Sequence, residues 1–259
     1  MTRYQIILLQ IIGENGWDVF THQMIENDGH LTRLQLNQAL RSMLNKGEIT
    51  QIEKGKYRRH HFTDEKVIGC FMVPDGGIAY WSALNMHGLT EQFPNELMIQ
   101  NSARTGIKKI PGMGTTCRFI RVKPVKVTGY NERGYGNHRY SITDIEKTLV
   151  DCFDLIEYSG GFHELIKAFS QAHLNAKKMI RYSRIIRNLS AIKRIAFLYD
   201  LLEKNGKDEY VLFAINQVNE RYTPFDPALP PTGLFIRKYH LILNIPETEI
   251  LSMATPVRS

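Results

Sequence analysis

The hydrophobic positions of the first 60 residues predict three helices. Apolar residues from Tyr4 to Ile11 recur at every third or fourth position and Gly13 follows them, which is the pattern of an amphipathic helix and its stop. Thr21 is a good N-cap for a second, short helix that ends before Asp28 and Gly29. The third helix has the clearest pattern. Its apolar residues form one stripe, made of Leu36, Ala39, Leu40, Met43 and Leu44.

The opposite face of the third helix is polar and has no acidic residue. Amide and guanidinium side chains of this kind can hydrogen-bond base edges in a DNA major groove, whereas a face that meets only solvent usually mixes Glu with Lys. Leu34 interrupts this face; either it contacts a thymine methyl or the helix begins after it. The polar face comprises Arg33, Gln35, Asn37, Gln38, Arg41, Ser42 and Asn45.

A short hairpin with basic residues follows the third helix. Gly47 ends the helix, and the segment "EITQIEKGKYR" (48–58) alternates in polarity and turns at Lys54 and Gly55. Three helices and a basic hairpin are the plan of a winged helix-turn-helix, in which the third helix enters the major groove and the wing contacts the backbone or the minor groove. The pattern therefore predicts a DNA-binding domain over residues 1–60, with a protein-docking module of the same architecture as the alternative. The predicted DNA-contacting residues are Arg33, Gln35, Asn37, Gln38, Arg41, Asn45, Lys54, Lys56 and Arg58.

The rest of the chain predicts a larger α+β domain. The charged segment "RRHHFTDEK" (58–66) has no apolar period and predicts a linker, so the second domain spans residues 67–259. Strands, then helices, then a strand-like ending without βαβ regularity indicate an α+β fold. Strands are predicted in "NELMIQ" (95–100), "TCRFIRVKPVKV" (116–127), "NHRYSI" (137–142) and "LFIRKYHLILNI" (234–245), and helices over 80–87, 143–153, 161–174, 176–189 and 190–206.

Helix ends in this domain are predicted from capping residues. Thr143 followed by Glu146 fits a capping box, in which the hydroxyl and the carboxylate each accept a backbone N–H at the start of a helix. Ser190 is the predicted N-cap of the helix over 190–206, and Gly206 is its predicted stop.

The net charge of +7 is unevenly distributed. Residues 101–140 contain nine Lys or Arg and one acid, and residues 170–207 contain nine Lys or Arg and two acids. Two interpretations stay open for the second group: a solvated basic face, or a surface that contacts nucleic-acid backbone. The predicted basic face of the second domain comprises Lys177, Lys178, Arg181, Arg184, Lys193 and Arg194.

Several classes of protein do not fit the sequence. No apolar stretch approaches the ~20 residues of a membrane helix, so we expect a cytoplasmic protein with no membrane partner. The three cysteines are far apart and form no CxxC motif, which predicts reduced core thiols, and we expect no metal and no cofactor.

One segment resembles a catalytic motif. Asp144, Glu146 and Lys147 superficially resemble the acid-x-Lys core of metal-dependent nucleases, in which carboxylates hold Mg²⁺. A nucleic-acid-processing enzyme that is targeted by the winged helix is therefore the alternative function. The predicted capping box explains Glu146 more simply, so the chain is not expected to be an enzyme.

Most of the chain resembles the AbiEi-type antitoxins of type IV toxin–antitoxin systems, which act in abortive infection as a phage defence. The resemblance lies in the N-terminal winged helix and, most specifically, in "SITDIEKTLVDCFDLIEYSGGFHEL" (141–165). Ile145 stands where proline is usual in the family. Further similar segments are "AYWSALNMHGLTEQFPNEL" (79–97), "NLSAIKRIAFLYDLL" (188–202), "FDPALPPTG" (225–233) and "LILNIP" (241–246).

The resemblance implies a function. Such a protein is a transcriptional autorepressor that binds inverted repeats in its own promoter, and an antitoxin that counters a nucleotidyltransferase-like toxin without a stable complex. Binding to an inverted repeat implies two copies of the chain on the double-stranded DNA, and a homodimer on DNA is one such arrangement. The family has no established catalytic residue.

Overall fold

The computed structural model describes residues 1–254 and has a mixed α+β fold. It divides into two compact units, which are described separately. The first unit contains residues 1–78, 99–122 and 132–141, and the second contains residues 79–98, 123–131 and 142 onward. The first unit thus includes the predicted domain of residues 1–60 but extends beyond it, because later segments of the chain return to it.

The elements follow one another along the chain in three groups. Residues 1–78 contain α1 (Arg3–Glu14), β1 (Val19–Thr21), α2 (His22–Asp28), α3 (Arg33–Asn45), β2 (Ile49–Glu53), β3 (Lys56–Arg59), α4 (Glu65–Phe71) and β4 (Gly77–Ile78). Residues 79–143 contain α5 (Tyr80–Met86), β5 (Leu97–Asn101), β6 (Gly106–Lys109), β7 (Thr116–Arg121), β8 (Tyr130–Arg133) and β9 (Tyr140–Thr143). Residues 144–254 contain α6 (Ile145–Asp154), α7 (Phe162–Gln171), α8 (Ala176–Ile186), α9 (Leu189–Leu201), α10 (Lys207–Ile215), β10 (Thr223–Pro224), β11 (Leu234–Ile236), β12 (Leu241–Leu243) and α11 (Glu247–Ala254).

Threonine caps start the first three helices of the first unit. Thr2, Thr21 and Thr32 each accept a backbone N–H from the third residue of the helix that they precede, which satisfies one of the unpaired donors at a helix start. The apolar faces of these helices pack together in one core that includes Leu8, Ile25, Leu36, Leu40 and Met43. The predicted stripe of α3 is therefore buried, apart from Leu44, which is only partly buried.

A three-stranded sheet in the order β1-β3-β2 completes this part of the first unit. The hairpin between β2 and β3 turns at the predicted position, where Gly55 has a φ of +76°. The sequence analysis did not predict β1, which pairs antiparallel with β3 and places Phe20 opposite Tyr57. Their rings stack with centroids 5.7 Å apart. Because β1 has only three residues, its pattern is too short to recognise without its partner strand.

The predicted linker over residues 58–66 is wrong. Phe62 is buried, and Asp64 caps α4 by accepting the backbone N–H groups of Lys66 and Val67. These residues therefore continue the folded unit. The polar composition of the segment suggested a linker, but two of its charged residues stabilise the fold. Arg58 is buried, and Asp64 is a helix cap.

A six-stranded sheet has the order β6-β7-β5-β4-β9-β8, so that β6 is an edge strand. β6 pairs antiparallel with β7, which places Lys108 opposite Cys117 and Lys109 opposite Thr116. Paired residues of two strands share a face. Cys117 is buried, and burial raises the pKa of its thiol to about 12.

Helices dominate the second unit, and aromatic side chains pack them together. Phe153, Phe169, Tyr199 and Tyr210 form a continuous series of ring contacts, with centroids 5.8, 5.4 and 4.7 Å apart. These rings come from α6, α7, α9 and α10, so one aromatic series joins four helices.

The predicted caps of α6 and α9 are wrong, each by one or two positions. Asp144, not Thr143, caps α6 and accepts the N–H of Lys147. Asn188, not Ser190, caps α9. In each case the residue nearer to the true start has a carboxylate or amide oxygen, which caps as well as a hydroxyl. Gly206 does not end α9; with a φ of +78° it precedes α10.

Candidate functional site

The polar face of α3 lies on the surface of the first unit. The helix begins at Arg33 and therefore includes Leu34, whose side chain is 70% exposed. Gln38, Arg41 and Asn45 are also exposed. Residues at these spacings share one side of a helix, so Leu34, Gln38, Arg41 and Asn45 form a single row, which we call the α3 row.

Polar members of the α3 row have no side-chain partners. Within residues 1–254, the side chains of Gln38, Arg41 and Asn45 make no hydrogen bond or ion pair. Unpaired amide and guanidinium groups on an exposed helix are available to hydrogen-bond a ligand. The row thus combines exposure with unused hydrogen-bonding capacity.

The other predicted residues of α3 have partners. Gln35 is half-buried, and its side-chain oxygen accepts the backbone N–H of Thr32 at 3.0 Å. Asn37 is exposed and its amide oxygen lies 3.0 Å from Nε2 of His22. Arg33 is exposed, with its Nε 3.7 Å from Glu26. Gln35 is therefore committed to the helix cap, while Arg33 and Asn37 have surface contacts that a ligand can replace.

The hairpin residues differ in their exposure. Lys54, at the turn, is exposed. Lys56 is half-buried, and its Nζ donates to the carbonyl oxygen of Met72 at 2.6 Å. Burial lowers the pKa of the Lys56 ammonium, although the nearby Glu53 carboxylate raises it. Only Lys54 is fully available at the turn.

Arg58 does not suit a DNA contact, and we remove it from the predicted interface. Its side chain is 2% exposed and donates to the carbonyl oxygens of His60 at 2.7 Å, Phe62 at 2.9 Å and Pro111 at 3.1 Å. The basic hairpin pattern had predicted Arg58 as a DNA-contacting residue. β3, however, is the central strand of its sheet, and both Tyr57 and Arg58 are buried.

The predicted basic face of the second unit divides between two helices. On α8, four cations are exposed: Lys177, Lys178, Arg181 and Arg184. Lys193 and Arg194 on α9 are 1% and 5% exposed, so they are not part of a basic face. Nine consecutive residues of α9, from Ala191 to Tyr199, are buried, because the helix is covered on all sides.

The residues of the nuclease-like motif hold the second unit together. Asp144 accepts the hydroxyl of Tyr182 at 2.8 Å and the ammonium of Lys178 at 3.1 Å. Glu146 accepts the backbone N–H of Asn175 at 3.0 Å, so the predicted capping role of Glu146 is wrong. The Lys147 ammonium, which is fully buried, pairs with Asp151.

These contacts give the charged groups of the motif partners within the second unit. The hydrogen bond to Asp144 is the main cause that raises the pKa of Lys178, which keeps this ammonium charged between two carboxylates. Among residues 1–254, no group of three or more His, Cys, Asp or Glu side chains is arranged to hold a metal ion.

Glu53 was not identified from the sequence. It ends β2 beside the turn, and its Oε1 lies 2.6 Å from Nη1 of Arg104 and 3.1 Å from Nζ of Lys108. The available signal was an acidic residue directly beside the basic turn of the hairpin. Its partners lie some fifty residues along the chain, so the sequence pattern did not identify them.

Comparisons with known proteins give a fold but no family. No family model matches the chain, and no curated protein matches it. The structure is similar to that of the RV2827C protein from Mycobacterium tuberculosis, with a TM-score of 0.61 and 14% sequence identity, over 97% of this chain and 94% of that one. At this identity the likeness concerns the fold alone. Separately, none of the helices within residues 1–254 is long and apolar enough to span a membrane.

Proposed function

We propose that the chain is a DNA-binding transcriptional autorepressor and the antitoxin of a type IV toxin–antitoxin system. In this proposal, α1 to α3 with the β2–β3 hairpin act as a winged helix-turn-helix on double-stranded DNA. The observation that carries the proposal is the α3 row, which is exposed and whose polar members are unpaired, while the opposite face of the same helix is buried in the core.

The side chains of the row match chemical groups in the major groove. The guanidinium of Arg41 can donate two hydrogen bonds to O6 and N7 of guanine, and the amide of Gln38 can pair with N6 and N7 of adenine. The exposed Leu34 side chain, at the start of the row, suits contact with a thymine methyl. Lys54 is the wing residue that suits a phosphate oxygen, because it is exposed at the turn.

The antitoxin part of the proposal rests on the sequence resemblance. Residues 141–165 carry the most specific part of that resemblance, and they form α6 and the start of α7. The expected counterpart is a nucleotidyltransferase-like toxin that the chain counters without a stable complex. The expected operator is an inverted repeat upstream of the chain's own start codon, bound by two copies of the chain.

Footprinting and binding assays on this upstream DNA test the repressor function. Gln38→Ala and Arg41→Ala should each weaken binding by about 1–3 kcal/mol and relax the sequence preference. Gln10→Ala and Arg3→Ala, which change exposed residues of the same types on α1, are the matched controls and should leave the preference unchanged. Wild-type affinity in both α3 variants would show that the row does not read DNA.

Co-expression with a neighbouring nucleotidyltransferase-like protein tests the antitoxin function. The wild-type chain should restore growth, and the Gln38→Ala/Arg41→Ala double variant should also restore it while losing repression of its promoter. This separation is expected because the α3 row lies in the first unit, whereas residues 142–165 lie in the second. No restoration by the wild-type chain at matched protein levels would end the antitoxin proposal.

A further inference from the structure

The carboxylate of Glu53 is held by two cations from a distant part of the first unit. Its side chain is 13% exposed and contacts Arg104 and Lys108 as described above, while Nζ of Lys56 lies 3.9 Å away. Burial alone raises the pKa of Glu53, but the hydrogen bonds and charges of Arg104 and Lys108 outweigh it and lower the pKa below its ordinary value. Glu53 is therefore ionised at neutral pH.

The partners of Glu53 are themselves fixed in place. The guanidinium of Arg104 lies 4.0 Å over the ring of Phe119 in β7. The amide of Asn101, which is fully buried, accepts the backbone N–H of Arg104 at 2.7 Å and donates to its carbonyl oxygen at 3.1 Å. A carboxylate that is bonded to such partners has little freedom, so the end of β2 is fastened to the strand that follows Arg104.

That strand, β6, presents a basic surface. It is an edge strand whose Ile107 and Lys109 are exposed. Side chains alternate along a strand, so Lys109 lies on the face opposite to Lys108. Residues 99–122 contain five Lys or Arg and no acid, which makes this part of the first unit complementary to a polyanion.

Lys54 and Lys109 are each the next residue after a member of the ion pair. Lys54 follows Glu53 and Lys109 follows Lys108, so each Cα lies about 3.8 Å beyond a clamped residue. Both side chains are exposed. The ion pair therefore fixes the backbone positions that carry these two cations relative to each other.

We propose that Glu53 is a positioning residue that clamps the wing to β6, so that Lys54 and Lys109 contact the phosphate backbone of the same DNA duplex. The inference rests on the proposed function, since it assigns β6 to the surface that binds the operator. Lys109 becomes a further DNA-contacting residue, and Glu53 acts through Lys54 and Lys109 without touching DNA.

Removal of the Glu53 charge distinguishes a positioning role of Glu53 from a direct repulsion between its carboxylate and the DNA phosphates. An acid near DNA repels phosphate, so if Glu53 contributed only its charge, Glu53→Gln would tighten binding to every duplex. If Glu53 positions the wing, Glu53→Gln weakens binding to the operator, because the wing must then be ordered during binding. The two roles predict changes of opposite sign.

The experiment measures binding of the full chain to the footprinted duplex and to a scrambled duplex of the same length, over a series of salt concentrations. Glu53→Gln should bind the operator about five- to tenfold more weakly, because a specific complex needs phosphate contacts at fixed positions. The scrambled duplex should show no loss, because non-specific binding needs the cations of Lys54 and Lys109 but not their fixed positions. Glu14→Gln, which removes an exposed acid of the same unit, is the matched control and should lose no operator affinity. Lys109→Gln should weaken binding to both duplexes and reduce the salt slope by about 0.9.

A readout without DNA reports on the clamp itself. Well below both melting temperatures, trypsin should cleave after Lys54 several-fold faster in Glu53→Gln than in Glu14→Gln. Each rate is divided by the rate on an unfolded peptide of the same local sequence, which cancels the direct effect of an acid beside the cleaved bond. If Glu53→Gln does not fold, Lys108→Gln serves instead, because its side chain is 39% exposed; it should lower the ratio of operator to scrambled affinity.

The outcomes distinguish the clamp from the proposed function. A wild-type chain that binds the operator together with a Glu53→Gln variant that matches Glu14→Gln in affinity and cleavage overturns the clamp alone. A wild-type chain that binds neither duplex overturns the proposed function and the clamp with it.

Discussion

Helices α8 and α9 follow each other in the chain and carry similar cations, yet the structure uses those cations in opposite ways. Lys177, Arg181 and Arg184 of α8 are exposed, whereas Lys193 and Arg194 of α9 are buried. α8 has one buried stripe and one exposed stripe, while α9 is buried all round along its middle. A cluster of basic residues in the sequence therefore does not identify a basic surface until the packing of its helix is known.

The buried cations of α9 bind residues 219–225, which include the short strand β10. Lys193 donates to Oδ1 of Asn219 at 3.0 Å and to the carbonyl of Arg221. Arg194 donates from Nε to the carbonyl of Phe225 at 2.9 Å and from Nη2 to that of Pro224 at 3.0 Å. Carbonyl oxygens need hydrogen-bond donors when they are shielded from water, and these two side chains supply them.

The largest effect that would sharpen this comparison is expected at Arg194. Arg194→Met should lower the free energy of unfolding by about 2–4 kcal/mol, because it leaves the Phe225 and Pro224 carbonyls without these donors. Urea denaturation measures this change in the free energy of unfolding. Arg181→Met is the matched control on α8 and should change the free energy by less than about 0.5 kcal/mol. Equal denaturation midpoints for the two variants would show that the cations of α9 stabilise the fold no more than those of α8.

A smaller effect is expected at Lys193, and it should depend on pH. Lys193→Met should cost about 1–3 kcal/mol at pH 7 through the loss of its hydrogen bonds. Burial lowers the folded-state pKa of Lys193 below its ordinary value of 10.5. Between these two values the unfolded chain binds more protons, so the wild-type chain gains stability relative to Lys193→Met as the pH rises. Denaturation of both proteins from pH 7 to 10 measures the difference between their free energies of unfolding. If the stability advantage of the wild-type chain becomes smaller as the pH rises, the lowered pKa of Lys193 is contradicted.

The smallest effect on stability is expected on α8. Simultaneous replacement of Lys177, Arg181 and Arg184 by Gln should leave the free energy of unfolding within about 0.5 kcal/mol for each site. The sequence preference for DNA should also be unchanged, because it is assigned to the α3 row. Salt-dependent binding decides between the two interpretations of α8: a smaller slope assigns phosphate contacts to it, and an unchanged slope leaves it a solvated face. A marked loss of stability would show that these cations, like those of α9, hold the fold.

Local patterns predicted the helices and the hairpin of residues 1–60 well. Helices α1 to α3, the Thr21 cap and the turn at Lys54 and Gly55 are where the sequence placed them. Two misses, β1 and the predicted linker, have a common cause, since β1 exists only because β3 pairs with it, and residues 58–66 fold because Arg58 and Phe62 are buried. Neither cause can be read from the segment itself.

In the candidate site, too, local patterns predicted some residues correctly, while contacts with distant segments decided the others. The exposed row on α3 follows from helical periodicity, which places Gln38 and Arg41 opposite the buried stripe. Arg58, Lys193 and Arg194 were misassigned because the carbonyls that bind them include those of distant segments, at Pro111 and at residues 221–225. Glu53 was missed because Arg104 and Lys108 are equally distant in sequence.

The sequence by itself determined where α2 starts, which side of α3 is apolar and where the hairpin turns, because caps, periodicity and glycine turns depend on neighbours within about four residues. Only the tertiary structure decided which cations stay on the surface and which become buried donors. The physical reason is that the burial of a charged side chain depends on the segments that cover it, and those segments lie tens of residues away along the chain.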